Sequence, residues 1–134
     1  MTVSLTKDSI DLGIVTNDAE ASLKFYQDVL GFSFHSKGER PGSTTWRLMC
    51  GTSMIKIILH DEKPPTEAAG GGLAGGTGYR YWTMTVSNLD EIVSTCQDAG
   101  YNVAVPPLEI QAGVRIAMVE DPDGNWVEFL QMDL

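Results

Sequence analysis

One pattern occurs twice in this chain, about 70 residues apart, and duplication restricts a fold far more than length does. Each copy runs apolar strand, Asn or Asp cap, amphipathic helix, Gln-Asp, then a glycine followed by an aromatic residue. The first copy is Ile10-Asp11-Leu12-Gly13-Ile14-Val15, then Asn17-Asp18, a helix through Gln27-Asp28, and Gly31-Phe32. The second is Arg80-Tyr81-Trp82-Thr83-Met84-Thr85-Val86, then Asn88, a helix through Gln97-Asp98, and Gly100-Tyr101. Two copies are too few to stack into a solenoid. They fit a pseudo-symmetric pair of modules sharing one sheet or cleft, which locates the site before any side-chain chemistry is considered.

Periodicity fills in each module. Residues 10–15 are apolar and β-branched enough for a strand with one face on a helix. Asn17 or Asp18 caps the next helix, and Leu23, Tyr26 and Leu30 recur along it at helical spacing, widened by Phe25 and Val29. Gly31 suits the left-handed position that ends such a helix. A short strand over 32–35, a polar turn over 37–43, and strands over 44–49 and 54–60 joined at Gly51-Thr52-Ser53 complete a β-α-β-β-β order. The second module repeats it, with a strand over 80–86 and a helix from Leu89 to Ala99 burying Ile92, Val93 and Cys96. A strand over 102–105 follows, then a break at Pro106-Pro107 and strands over 114–119 and 126–131. Asp121-Pro122-Asp123-Gly124 has the chemistry of a type I turn closing a hairpin. The predicted class is α+β, one domain over residues 1–134: module 1 over 8–62, a Gly-rich linker over 63–78, module 2 over 79–132. Pro64-Pro65 and the glycines at 70–72, 75, 76 and 78 make 61–79 a mobile loop, either a connector or a lid, with the connector slightly favoured. It lacks the GK[ST] of a phosphate-binding P-loop.

Composition narrows the function classes. The chain has 134 residues, 43% of them hydrophobic and 20% charged, which suits a single folded core. No stretch approaches the ~20 apolar residues that span a bilayer, and the start lacks a signal-peptide pattern. Cys50 and Cys96 sit in different modules and read as free thiols of a cytoplasmic protein. Eighteen acidic against nine basic residues give a net charge of −9, which opposes binding to nucleic acid or anionic lipid. That charge serves solubility, or attracts a cationic small molecule; composition alone leaves both open.

Charged residues inside apolar strands mark the candidate site, since buried charges must be paired or hydrogen-bonded. Asp11 and Tyr81 are equivalent in the first strand of each module, and Lys56 and Glu128 in the last. The string from Ile116 to Phe129, with Glu120-Asp121-Pro122-Asp123-Gly124-Asn125-Trp126-Val127-Glu128, resembles the C-terminal signature of the vicinal oxygen chelate superfamily. Asp18 to Phe32, with Phe25-Tyr26 and Val29-Leu30-Gly31-Phe32, is similar to its N-terminal signature. That superfamily includes glyoxalase I, bleomycin resistance proteins, extradiol dioxygenases and methylmalonyl-CoA epimerase. The resemblance implies two βαβββ modules forming a cupped mixed sheet around a site, usually in a homodimer.

It also implies where a metal would bind: the four ligand positions of metal-dependent members hold Asp11, Lys56, Tyr81 and Glu128 here. Only Glu128 matches directly, with Asp11 the other usable carboxylate. Lys56 is the decisive departure, because an ammonium has no lone pair to give and repels a divalent ion. His60, on the same strand face as Lys56, is a candidate displaced ligand. No cofactor is expected. Three readings follow. The first is a metal-free binder of a small, flat or cationic compound, with Trp126 and Trp46 as stacking surfaces and Trp82 as core. The second is a metal-independent isomerase, epimerase or lyase in which Lys56 stabilises an oxyanion and Glu128, Asp11 or Tyr81 moves the proton. A glyoxalase-type metalloenzyme comes third.

Overall fold

The computed structural model describes residues 1–133 and divides the chain into two compact units, Met1–Pro65 and Thr66–Leu134. In the first unit, β1 (Leu12–Val15) leads into a helix that starts at α1 (Ala19–Leu23). Three strands follow: β2 (Ser33–Arg40), β3 (Ser43–Cys50) and β4 (Ser53–His60). They form a sheet of order β1-β4-β3-β2, with β1 parallel to β4 and the other neighbours antiparallel. The second unit repeats the plan: β5 (Tyr81–Thr85), α2 (Leu89–Asp98), β6 (Val103–Gln111), β7 (Val114–Glu120) and β8 (Trp126–Met132), in the order β5-β8-β7-β6. The duplication extends to register. Gly13 lies opposite Lys56 in the first sheet, and Thr83 opposite Glu128 in the second.

The helix side of each sheet is the core. Leu48, Ile55 and Ile57 are buried with Phe25 and Tyr26 in the first unit, and Val119, Val127 and Phe129 with Leu89 and Cys96 in the second. Asp18, not Asn17, caps α1, its Oδ1 accepting from Ala21 N at 3.0 Å. Asn88 holds the cap position of α2, but the Oε1 of Gln131 accepts from Leu89 N at 2.9 Å instead. The expected amphipathic helix widens into a π-helix over Lys24–Val29, with Leu30 N donating to Phe25 O at 2.9 Å. The extra residue in that turn lets Phe25 and Tyr26, adjacent in sequence, both be fully buried.

Two expected breaks are absent. The polar turn foreseen over 37–43 shrinks to Pro41-Gly42, because pairing with β3 continues to Arg40↔Ser43, and Gly42 supplies a φ of +92°. Likewise Pro106-Pro107 does not end the strand; β6 runs through it, with a register shift between Val105 and Leu108 that spans the two prolines. Proline is tolerated there because β6 is an edge strand, where a missing N–H costs no ladder bond. The 121–124 hairpin turn forms as expected, with Gly124 N donating to Asp121 O at 3.0 Å and the Asp121 carboxylate accepting from Asp123 N and Asn125 N. No helix among the described residues is long and apolar enough to cross a membrane.

Candidate functional site

In each sheet, the face away from the helix carries the polar residues singled out by the sequence. In the first unit, strand alternation puts Met54, Lys56, Ile58 and His60 on that face. Their cross-strand partners are Met49, Arg47, Thr45 and Ser43. Read across all four strands at the level of Lys56, the row is Gly13, Lys56, Arg47, Ser36. Arg47 Nη1 donates to Ser36 Oγ at 3.3 Å, and its guanidinium lies against Gly38, where a Cβ would come within 3.0 Å of it. Lys56 and Arg47 are both half-buried, and among the described residues neither forms an ion pair.

Asp11 stands just before β1, at the end of the same face, and its Oδ1 is already engaged. It accepts from Lys7 Nζ at 2.7 Å and from Met54 N at 2.8 Å. The Lys7 bond first, the Met54 N–H next, and the more remote charge of Lys56 hold its carboxyl below the ordinary value. Asp11 therefore fastens the N-terminal segment to β4 as well as facing toward Lys56. His60 shares the face of Lys56 but is exposed at the strand end, where it lines a shallow depression of about 480 Å³ with Asp61 and Glu62. Trp46 is on the other face. It pairs with Ile57, between the buried Leu48 and the cation of Lys37, which lies 5.5 Å from the ring centroid. Trp46, offered as a second stacking surface, therefore does not share the face of Lys56; its neighbour Arg47 does, since adjacent residues in a strand point to opposite faces.

The second unit places Tyr81, Thr83 and Thr85 of β5 beside Trp126, Glu128 and Leu130 of β8. Glu128 is 8% exposed, and its Oε1 accepts from Thr83 Oγ1 at 2.6 Å. Trp126 Nε1 donates to Glu120 Oε1 at 3.2 Å. Tyr81 is exposed at 45%, next to Trp126 in register. Trp82 and Met84 point to the opposite face, with Val127 and Phe129 as partners, as alternation requires. The glycine-rich stretch is more ordered than its composition suggests. A single 3-10 turn, Gly72–Ala74, sits on Trp126 so closely that a Cβ on Gly72 would fall 2.1 Å from the indole. Arg80 clasps it: Nε donates to Gly72 O at 2.7 Å, and Nη2 to Ala69 O and Gly70 O at 2.9 and 3.0 Å. The stretch covers one face of the tryptophan offered as a stacking surface.

The metal expected of many relatives is a poor fit to these residues. Lys56 brings a positive charge and no lone pair to the second ligand position, and Arg47 directly across the strand adds another. Asp11 has spent an oxygen on two donors. Among the described residues no three His, Cys, Asp or Glu side chains come together as a metal-binding group. Arg47 was missed in the sequence, although a signal existed. Gly51, with φ of +58°, opens a two-residue turn that pairs Cys50 with Ser53, and counting outward from that turn brings Arg47 opposite Lys56.

Comparison with known proteins agrees with this architecture. The sequence profile described as Glyoxalase/Bleomycin resistance protein/Dioxygenase superfamily matches residues 9–129. The chain is 26% identical over 133 residues to virulence protein STM3117 of Salmonella typhimurium, covering 96% of this chain and 88% of that one. Among solved structures, a glyoxalase family protein from Bacillus cereus superposes with a TM-score of 0.80 at 14% identity, covering 96% of this chain and 99% of that one. The trypanothione-dependent glyoxalase I of Leishmania major gives a TM-score of 0.69 at 21% identity, covering 94% and 87%.

Proposed function

This chain belongs to the Glyoxalase/Bleomycin resistance protein/Dioxygenase superfamily, and from that premise we propose that it binds a small molecule on its open sheet faces without a resident metal. One observation carries the reading: Lys56, at a position that resemblance assigns to a metal ligand, has Arg47 directly opposite it and, among the described residues, no carboxylate paired to it. Two adjacent cations repel a divalent ion and leave it nothing to coordinate. Trp126 supplies a flat apolar surface in the second unit, and Glu128 and Glu120 give that face acceptors for a donor group. The bound form is a homodimer in this reading, as in many relatives.

Elemental analysis of the purified chain together with thermal unfolding tests it. We expect no stoichiometric metal and a melting temperature unmoved by chelator. Stoichiometric nickel, zinc or iron, with a chelator-sensitive melting temperature, contradicts the proposal.

The same observation favours a second reading, metal-independent catalysis. Lys56 and Arg47 together would stabilise an enolate-like oxyanion in place of a metal. Turnover of a hydroxy-carbonyl substrate that disappears in Lys56→Met, with the fold intact, is the result that separates this from binding alone.

A further inference from the structure

We propose that the open face of the first sheet is a binding site for a small organic anion, a carboxylate or phosphate carried on an apolar body, held between Lys56 and Arg47. This deepens the metal-free reading above and rests on it. Directly opposed residues in an antiparallel pair have their Cβ atoms about 4.5–5.5 Å apart, and like charges placed so are destabilising. Lys56 and Arg47 are such a pair, in a chain whose net charge is −9 and which had acidic side chains to spare. The carboxylate nearest in influence, Asp11, is engaged by Lys7 and Met54 N, and it reaches Lys56 only as a remote charge. An external anion supplies what the fold omits.

The surroundings are built to leave room for one. On the β1 side of Lys56 stands Gly13, where an added Cβ would meet nothing nearer than Ile58 Cδ1 at 3.8 Å. On the β2 side of Arg47, Gly38 makes space for the guanidinium, which a side chain there would press at 3.0 Å. Arg47 thus leans over β2, away from Lys56, and uses one of its five donors on Ser36. An oxyanion seated between this planar fork and this point charge takes parallel bonds from the guanidinium and one from the ammonium. The adjoining rows on the same face are Met49 with Met54 on one side and Thr45 with Ile58 on the other. They offer an apolar floor to the body of the ligand, with a sulfur-rich side that adapts to its shape. The class opposes the cationic ligand that net charge alone suggests: the charge of the whole chain and of this face have opposite sign.

The probes are benzoate and phenyl phosphate, with benzylamine as the cationic counterpart, titrated at low ionic strength against the intact chain. We expect both anions to bind and benzylamine not to, with affinity about tenfold weaker or worse in Lys56→Met and in Arg47→Met, the loss of at least one charge-assisted bond. Either substitution should leave the melting temperature of the ligand-free chain equal or higher, because it removes a like-charge opposition. Amide chemical-shift changes in the unsubstituted chain should centre on Gly13, Gly38, Arg47 and Lys56, which decides the matter even if a variant folds poorly. Undiminished affinity in a folded variant, shifts elsewhere, or binding of benzylamine alone overturns the site. Stoichiometric metal defeats the broader reading; a metal-free chain that ignores both anions defeats only this one.

Discussion

Asp11 shows how a residue's role depends on its neighbours rather than its type. In sequence it is a carboxylate in the first strand of a duplicated module, hence a candidate ligand or base. In the fold it is a tether, accepting from Lys7 Nζ and Met54 N through one oxygen. Those donors favour the charged form, so its folded value lies below the ordinary 3.8. A depressed carboxyl contributes stability that is present above its unfolded value and is lost as pH falls through its folded one. Asp90, bonded to Arg115, behaves alike. We therefore expect the urea midpoint to fall between about pH 5 and about pH 3, and to fall less in Asp11→Asn, whose amide oxygen keeps the Met54 bond but has no charge to lose. Equal slopes would show that the tether does not titrate. Cys96 is a contrasting case: burial alone pushes its thiol up to about 11, which makes it a packing residue and not a nucleophile.

At the level of segments, the glycine-rich stretch departs most from expectation. Composition makes it a flexible connector, because glycine pays the largest entropy on ordering. Arg80 offsets that by bonding three of its carbonyls, and Gly72, at φ of +56°, lies flat against Trp126 where no other residue fits. Gly72→Ala should force the turn off the indole. Overpacking of this kind costs about 1–3 kcal/mol, so chemical denaturation should show that loss, with a red shift of tryptophan emission as the ring meets water. Unchanged stability and emission would mean the turn does not rest on Trp126 in solution. The proline pair of β6 illustrates the same limit from the other direction. Pro106-Pro107 signals a break by every local rule, yet an edge position removes the penalty that the rule encodes.

For the molecule as a whole, the open question is assembly. Each sheet has two edge strands, β1 and β2 in the first unit and β5 and β6 in the second. Ile10 and Val15 near β1 are 84% and 49% exposed. Unpaired edges and exposed apolar side chains favour association, and we expect sedimentation velocity at micromolar concentration to give the mass of two chains. A single 14.6 kDa species would refute the homodimer.

The repeat, its β-α-β-β-β order, the buried faces and the family signature were all readable from residue order, because periodicity and turn chemistry act over a few neighbours. The decisive position, Lys56, was readable too. Its meaning was not. Arg47 is nine residues away along the chain and becomes its partner only through the register of a hairpin. The face on which Trp46 lies depends on the same register, and Asp11 finds one donor, Lys7, only four residues away but the other, Met54 N, 43 residues along the chain. Local sequence chooses the elements, since their forces are short-ranged along the chain; which charges end side by side is set by strand pairing, and that pairing is a property of the folded sheet.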